Sequence, residues 1–305
     1  MRRSETGWHR RLALLGLPVE LVADDPDLLA TACEAYADWP SETPHSEPAI
    51  EVRLELGSDP DMEAVADIRV GGMRLTLTGA GIAGHADAGS KRAHCVVPRR
   101  LVGDATAMAA EVTDTLLLFL LARSGRTPVH AAGVLLGDTA LVLAGPSGSG
   151  KSTLALAAMG RGLPILSDDT LYIQLRPGLR IWGVRRPLHV FPEDAPRFTR
   201  GRRLRGGKLK AVVPLAPGAA GGFADRALLI LLERGDRLDL TRLDAEAAVV
   251  GLSRLDAGFD LLPRESAEAA RALAAGGAWR LTLARDPDAA IDFLRERLLA
   301  ETPAT

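Results

Sequence analysis

The chain has 305 residues, 47% hydrophobic and 25% charged, with a formal net charge of −2. That is the make-up of a globular protein of two modest domains or one large one, and it excludes a general nucleic-acid binder. Only 4% of the residues are aromatic, so the core has to be aliphatic.

At the N-terminus, Leu12–Leu17 is the only apolar patch, shorter than the apolar segment of a secretory signal. The longest apolar candidate elsewhere, Leu116–Ala122, falls short of a membrane span. Residues 18 to 100 read as an α+β accessory region, expected to cover a sheet edge and shape a substrate groove. Pro18–Ala23 suggests a strand. Asp27–Trp39 has Leu28, Ala32, Ala35 and Trp39 at helical spacing. Ser41–Pro48 is a loop, and Ile50–Leu56 alternates as a half-buried strand. Ile68–Val70 and Met73–Leu77 flank Gly71-Gly72 as a hairpin. His85 and His94 are isolated, and Cys33 and Cys95 form no metal spacing or disulfide framework. Asp104 caps a helix to about Arg123, whose Leu116–Leu121 run is expected to bury against the following domain. Ser124-Gly125-Arg126 ends it. The boundary therefore separates an N-terminal accessory or substrate region, 1–125, from a catalytic domain, 126–305.

The second half opens on its most informative stretch. Pro128–Leu136 is strand-like, Gly137-Asp138 a two-residue turn, and Thr139–Ala144 the returning strand. His130 stands at the start of this hairpin. Gly145-Pro146-Ser147-Gly148-Ser149-Gly150-Lys151-Ser152 matches the phosphate-binding pattern G-x-x-x-x-G-K-[ST]. Glycines allow close approach of the backbone to a polyphosphate, and successive N–H groups form an anion nest. Lys151 would reach the terminal phosphates and the Ser152 hydroxyl a Mg²⁺ ion. A helix follows over Thr153–Arg161, then a short strand, Leu163–Leu166, ending at Ser167-Asp168-Asp169. A right-handed crossover lays this strand parallel to Leu141–Ala144, bringing both aspartates near the loop. Paired carboxylates beside a triphosphate suit metal ligation and activation of a hydroxyl.

Beyond Ile173 the patterns are weaker. Arg180–Val184 is strand-like. Arg197–Lys210 carries Arg200, Arg202, Arg203, Arg205 and Lys208 with no acid between them. It reads equally as a mobile basic lid for phosphate or an acidic peptide and as a solvated loop. Pro214–Gly222 is a linker. Arg226–Glu233 is a central strand, Leu238–Leu243 and Trp279–Ala284 are further strands, and Ala245–Leu255, Ser266–Ala275 and Asp288–Leu299 are helices.

Taken together, His130, the loop Gly145–Ser152, Arg161-Gly162 and Asp168-Asp169 resemble the catalytic domain of HPr kinase/phosphorylase and its relatives. The resemblance is clear over residues 126–174 and weaker beyond, and it is closest to HPr-kinase-like proteins, some of which sit in peptide-tailoring pathways. Thr153 stands where the bifunctional enzymes carry Glu, and their later Gly-rich signature has no match, so neither the phosphorylase reaction nor HPr as substrate is implied.

The resemblance implies an α/β fold: a P-loop domain with a mixed sheet, similar to phosphoenolpyruvate carboxykinase, plus the α+β N-terminal region. It implies an ATP- and Mg²⁺-dependent serine kinase acting on a protein or peptide. Gly145, Ser147, Gly148, Ser149, Gly150, Lys151, Ser152 and Thr153 would hold the nucleotide, and Ser152 and Asp168 the metal. Asp169 would be the base, with the reverse order of the two aspartates left open. His130 would orient the pair or bind phosphate. Arg185 and Arg186 lie close to where the family makes substrate or phosphate contacts, and Lys208 belongs to the basic segment. Neither nucleic acid nor membrane is expected as a partner, a homo-oligomer stays open, and the setting expected is cytoplasmic. The rival readings are a small-molecule hydroxyl kinase, which would usually lack the upstream hairpin, and an ATP-binding regulatory module that transfers nothing.

Overall fold

The computed structural model describes residues 2–4, 7–39, 49–60, 67–194, 199, 201–205, 208–215, 222–255 and 262–301. The expected loop at Ser41–Pro48 and most of the linker at Pro214–Gly222 lie outside them. The chain divides into two compact units, Met1–Arg126 and Thr127–Thr305.

The first unit contains β1 (Arg2–Ser4), β2 (Gly7–Leu14), β3 (Leu17–Ala23), α1 (Pro26–Glu34), β4 (Ile50–Gly57), β5 (Asp67–Gly71), β6 (Arg74–Gly79), β7 (Ile82–Asp87) and β8 (Arg92–Pro98). The strands form one sheet in the order β1-β2-β3-β4-β8-β7-β6-β5. The apolar patch at Leu12–Leu17 is a hairpin corner. Leu14 pairs with Leu17, Leu15 and Gly16 take φ of 50° and 71°, and Leu14 and Leu15 are buried. Asp25 caps α1 by accepting the N–H groups of Asp27 and Leu28, and Leu28, Leu29 and Ala32 are buried.

Asp104 caps the following helix by accepting the Ala107 N–H. The helix runs as α2 (Ala105–Met108), a π-helical stretch Ala109–Thr113, and α3 (Asp114–Arg123). The structure corrects two expectations here. Ala105–Arg123, at 19 residues and mean hydropathy 1.5, is long and apolar enough to cross a membrane, because the helix extends well before Leu116. Its apolar surface is used within its own unit: Met108, Val112, Leu116, Leu117 and Leu120 are buried, and α3 packs on β4, β6, β7 and β8. The run expected to bury against the following domain thus serves the accessory sheet.

The second unit begins with β9 (Thr127–Val129), β10 (Ala131–Leu136), β11 (Thr139–Ala144), α4 (Lys151–Gly160), β12 (Ile165–Ser167), β13 (Leu171–Gln174), β14 (Arg180–Trp182) and β15 (Leu188–Val190). It continues with β16 (Arg202–Arg205), β17 (Lys208–Val213), β18 (Phe223–Ala224), β19 (Arg226–Arg234), β20 (Asp239–Leu243), α5 (Ala245–Ser253), α6 (Pro263–Ala275), β21 (Ala278–Leu283) and α7 (Pro287–Glu301). Its six-stranded sheet has the order β12-β10-β11-β19-β21-β20. Gly137, at φ 62°, turns β10 back into β11 with Leu136 opposite Thr139. β10 is antiparallel to both β11 and β12. β12 therefore runs in the direction of β11, as the crossover argument expects, with β10 between them.

β11, β19 and β21 are mutually parallel and covered on both faces, which explains their continuous apolar runs. Leu141 and Leu143 join a core with Leu154 of α4 and Leu294 of α7. Ala140, Val142 and Ala144 join a second core with Leu252 of α5 and Leu273 of α6. Arg161, just past α4, bonds Asp292 and Asp288 on α7. Two smaller sheets complete the unit, β18-β14-β13-β9 and β15-β17-β16. The basic segment is not irregular throughout: its backbone forms the antiparallel strands β16 and β17, with Arg203 opposite Lys210. Pairing with β15 gives this stretch strand partners that its composition does not announce.

Candidate functional site

Where β11 ends, the chain makes a glycine-rich loop and enters α4. Gly148 and Gly150 take φ of 85° and 109°, and Gly150 is the N-cap of α4. A side chain at either position would be strained. A Cβ on Gly145 would lie 2.6 Å from Ser149 Oγ and 3.1 Å from Leu232 Cβ, so the loop also needs glycine there for space. The Ser149 N–H donates to the Pro146 carbonyl at 3.0 Å and tightens the turn. Lys151, the first residue of α4, is buried, and its Nζ donates to the Gly145 carbonyl at 2.6 Å. Burial pulls the Lys151 pKa below the usual 10.5, against the opposing pull of the Asp169 and Asp168 carboxylates; the Lys210 ammonium adds to the lowering.

The acids come from a place where two chain segments change sheets. β9 pairs with β13 in the four-stranded sheet, with Val129 opposite Leu171. β10 pairs with β12 in the six-stranded sheet, with Gly133 opposite Ser167. His130 lies in the first break, between β9 and β10. Asp168 and Asp169 lie in the second, between β12 and β13. The breaks face each other, so His130 Nδ1 comes within 3.5 Å of Asp169 Oδ1. The two aspartates differ in environment: the Asp168 side chain is 5% exposed and that of Asp169 38%. Asp168 Oδ2 accepts the backbone N–H of His189 at 2.7 Å, a bond that favours the charged carboxylate.

A cavity of about 360 Å³ brings these groups together. Of the sequence-predicted residues, His130, Ser147, Gly148, Gly150, Lys151, Ser152, Thr153, Asp168 and Asp169 line it. Gly145 and Ser149, though part of the loop, are not among the lining residues. Arg185 and Arg186 lie in the link between β14 and β15 and are not among the lining residues. The backbone of Lys208 opens β17, and its side chain lies outside the described residues.

Sequence reading missed His189, Phe191, Asp194, Lys210 and Arg234, all of which line the cavity. Lys210 Nζ sits 3.2 Å from the Phe191 ring centroid. Thr153 Oγ1 donates to Asp194 Oδ2 at 3.0 Å. Arg234, at the end of β19, has a guanidinium nitrogen 3.1 Å from where a Gly150 Cβ would stand. The available signal was the basic composition around Lys210, but only strand pairing identifies which lysine faces the site.

Among the described residues no group of three or more His, Cys, Asp or Glu has the geometry of a metal site. The donors beside the loop are oxygens, the Ser152 hydroxyl and the Asp168 carboxylate, which fit a hard cation that takes its remaining ligands from phosphate and water. The glycine-rich loop, Lys151, Lys210 and Arg234 offer N–H groups and cations to an anion. Asp169 is the more exposed of the two aspartates and stands beside His130.

No family model matches the chain, and no curated protein matches it. Among solved structures it is similar to the Hpr(Ser) kinase/phosphatase from Coxiella burnetii, at 14% identity and a TM-score of 0.33, covering 58% of this chain and 100% of that one. That likeness is a distant structural relationship and assigns no residue roles here.

Proposed function

We propose that the chain is an ATP- and Mg²⁺-dependent phosphotransferase that moves the γ-phosphate to a hydroxyl, that of a Ser in a protein or peptide. The observation that carries this reading is the convergence of a glycine-rich loop, the N-terminus of α4 with Lys151, and the Asp168-Asp169 pair on one cavity of about 360 Å³. A loop of this kind grips a polyphosphate through backbone N–H groups, and the helix dipole adds to its affinity.

In the proposed reaction Lys151 leaves the Gly145 carbonyl for the terminal phosphates and balances charge that develops during transfer. Ser152 and Asp168 would hold Mg²⁺, which when bound would neutralise charge on the phosphates. Asp169 takes the proton of the acceptor hydroxyl as its oxygen forms a bond to the γ-phosphorus. The bond from that phosphorus to the β–γ bridging oxygen breaks, and ADP departs with the oxygen. His130 orients Asp169, an assignment supported by their 3.5 Å approach. The bond from His189 to the buried Asp168 supports the metal role for Asp168 and the base role for Asp169.

The antiparallel β10–β11 pair favours this reading over a small-molecule kinase of the shikimate or nucleotide type. The setting that goes with it is cytoplasmic, with no nucleic acid or membrane as partner. The test is to offer γ-labelled ATP and Mg²⁺ with Ser-containing peptides and locate the label by mass spectrometry. Label on a peptide Ser, lost in Asp169→Asn, is the expected result. Nucleotide binding without transfer to any hydroxyl would instead favour a regulatory module.

A further inference from the structure

Lys210 belongs to no sequence motif, yet its position gives it a specific place at the site. It lies on β17, which pairs with β15 so that Val190 is opposite Ala211 and His189 opposite Val212. That same β15 holds Asp168 through the His189 N–H. The strand pair that anchors the buried acid thus also carries Lys210 to the cavity that Lys151 lines. Its ammonium rests over the Phe191 ring at 3.2 Å from the centroid, which restrains a long side chain before any ligand arrives. Two ammonium groups, Lys151 and Lys210, then share one cavity with the carboxylates of Asp168, Asp169 and Asp194. An anion between the ammonium groups relieves their mutual repulsion.

We propose that Lys210 is a second phosphate-contacting cation of this site, directed at the terminal phosphoryl group of the nucleotide rather than at its inner phosphates. The proposal rests on the nucleotide reading above. The terminal group is singled out because Lys210 enters from the strand pair that holds Asp168, where transfer would occur, whereas Arg234 lies beside Gly150 at the start of α4. Phe191 sets the direction of the ammonium, so that it meets the phosphoryl oxygens without first being ordered.

The experiment is calorimetric titration of the full chain with Mg-ATP and with Mg-ADP, for the wild type and for Lys210→Met, Lys210→Gln and Lys210→Arg. Melting curves show which variants are folded, and the Gln and Arg variants carry the test should Met not fold. Losing one charge-assisted contact weakens Mg-ATP binding about tenfold in the Met and Gln variants, leaves Mg-ADP binding within about twofold, and is largely reversed by Arg. Equal weakening of ATP and ADP overturns the assignment to the terminal phosphate. Unchanged ATP binding with a raised KM for an acidic Ser peptide also overturns it, assigning Lys210 to the acceptor's anion. Unchanged behaviour throughout removes Lys210 from the site. A wild type that binds neither nucleotide fails the proposed function itself, an outcome visible before any variant is made.

Discussion

The backbone N–H of His189 donates to Asp168 Oδ2 at 2.7 Å. This contact separates two aspartates that are adjacent in the chain. One is buried and held by a strand of another sheet; the other is partly exposed beside an imidazole. Asp169→Asn is expected to leave Mg-ATP binding nearly intact and to slow transfer by roughly two to four orders of magnitude, the range of a positioned general base. Asp168→Asn is expected to raise the Mg²⁺ concentration needed for half-maximal activity. Nucleotide titrations and single-turnover transfer measure both. If neither variant slows transfer, the pair is structural.

Lys151→Ala is expected to abolish tight nucleotide binding and leave the fold standing. The ammonium is costly to bury and its bond to the Gly145 carbonyl offsets only part of that cost. Circular dichroism and a melting curve should match the wild type while calorimetry loses the nucleotide signal. Loss of the fold would mean that the lysine holds the empty loop together.

Two glycines set the fit around the site. Gly145→Ala drives a methyl against Ser149 Oγ, Ser149 Cβ and Leu232 Cβ, within 2.6 to 3.1 Å, and overpacking of this kind costs about 1–3 kcal/mol. Gly183 has no room for a Cβ beside the Leu166 carbonyl, two residues before Asp168. Because a backbone atom opposes it, Gly183→Ala is expected to be the more destabilising of the two and to alter Mg²⁺ dependence as well. Denaturant unfolding of both variants decides the order.

In the accessory sheet, Asp87 accepts the N–H groups of Ser90 and Gly89, which hold its carboxyl below the usual 3.8. A lowered folded pKa gives stability that is present above the unfolded value and is lost as pH falls through the folded value. The stability difference between wild type and Asp87→Asn should therefore be constant near neutrality and shrink only below 3.8. Chemical unfolding across the acid range checks this, and a difference that grows on acidification contradicts it.

The parts legible from sequence are those whose determinants are local. Gly137-Asp138 announces the β10–β11 hairpin, and the glycine pattern with Lys151 announces the loop, because turn geometry and close backbone approach demand particular residues. His189, Phe191 and Lys210 were not legible, since they reach the cavity through pairing of β15 with β17 across a basic segment that resembles a loop. Lys208 drew attention by charge alone. β7 and β8 were missed because Ile82–Asp87 and Arg92–Pro98 contain small and polar residues and owe their strand form to their neighbours. The Leu116–Leu121 run showed that it would be buried but not by what: periodicity identifies an apolar face and is silent about its partner.

β10 sits between the strand that feeds the glycine-rich loop and the strand that ends at the acids. Neighbouring strands are about 4.8 Å apart, so the two strand axes are separated by roughly 9.6 Å, fixed by backbone hydrogen bonds rather than by side chains. The sheet acts as a ruler between the glycine-rich loop and the aspartate pair. Substitutions among lining residues can reshape the walls but cannot change its graduation.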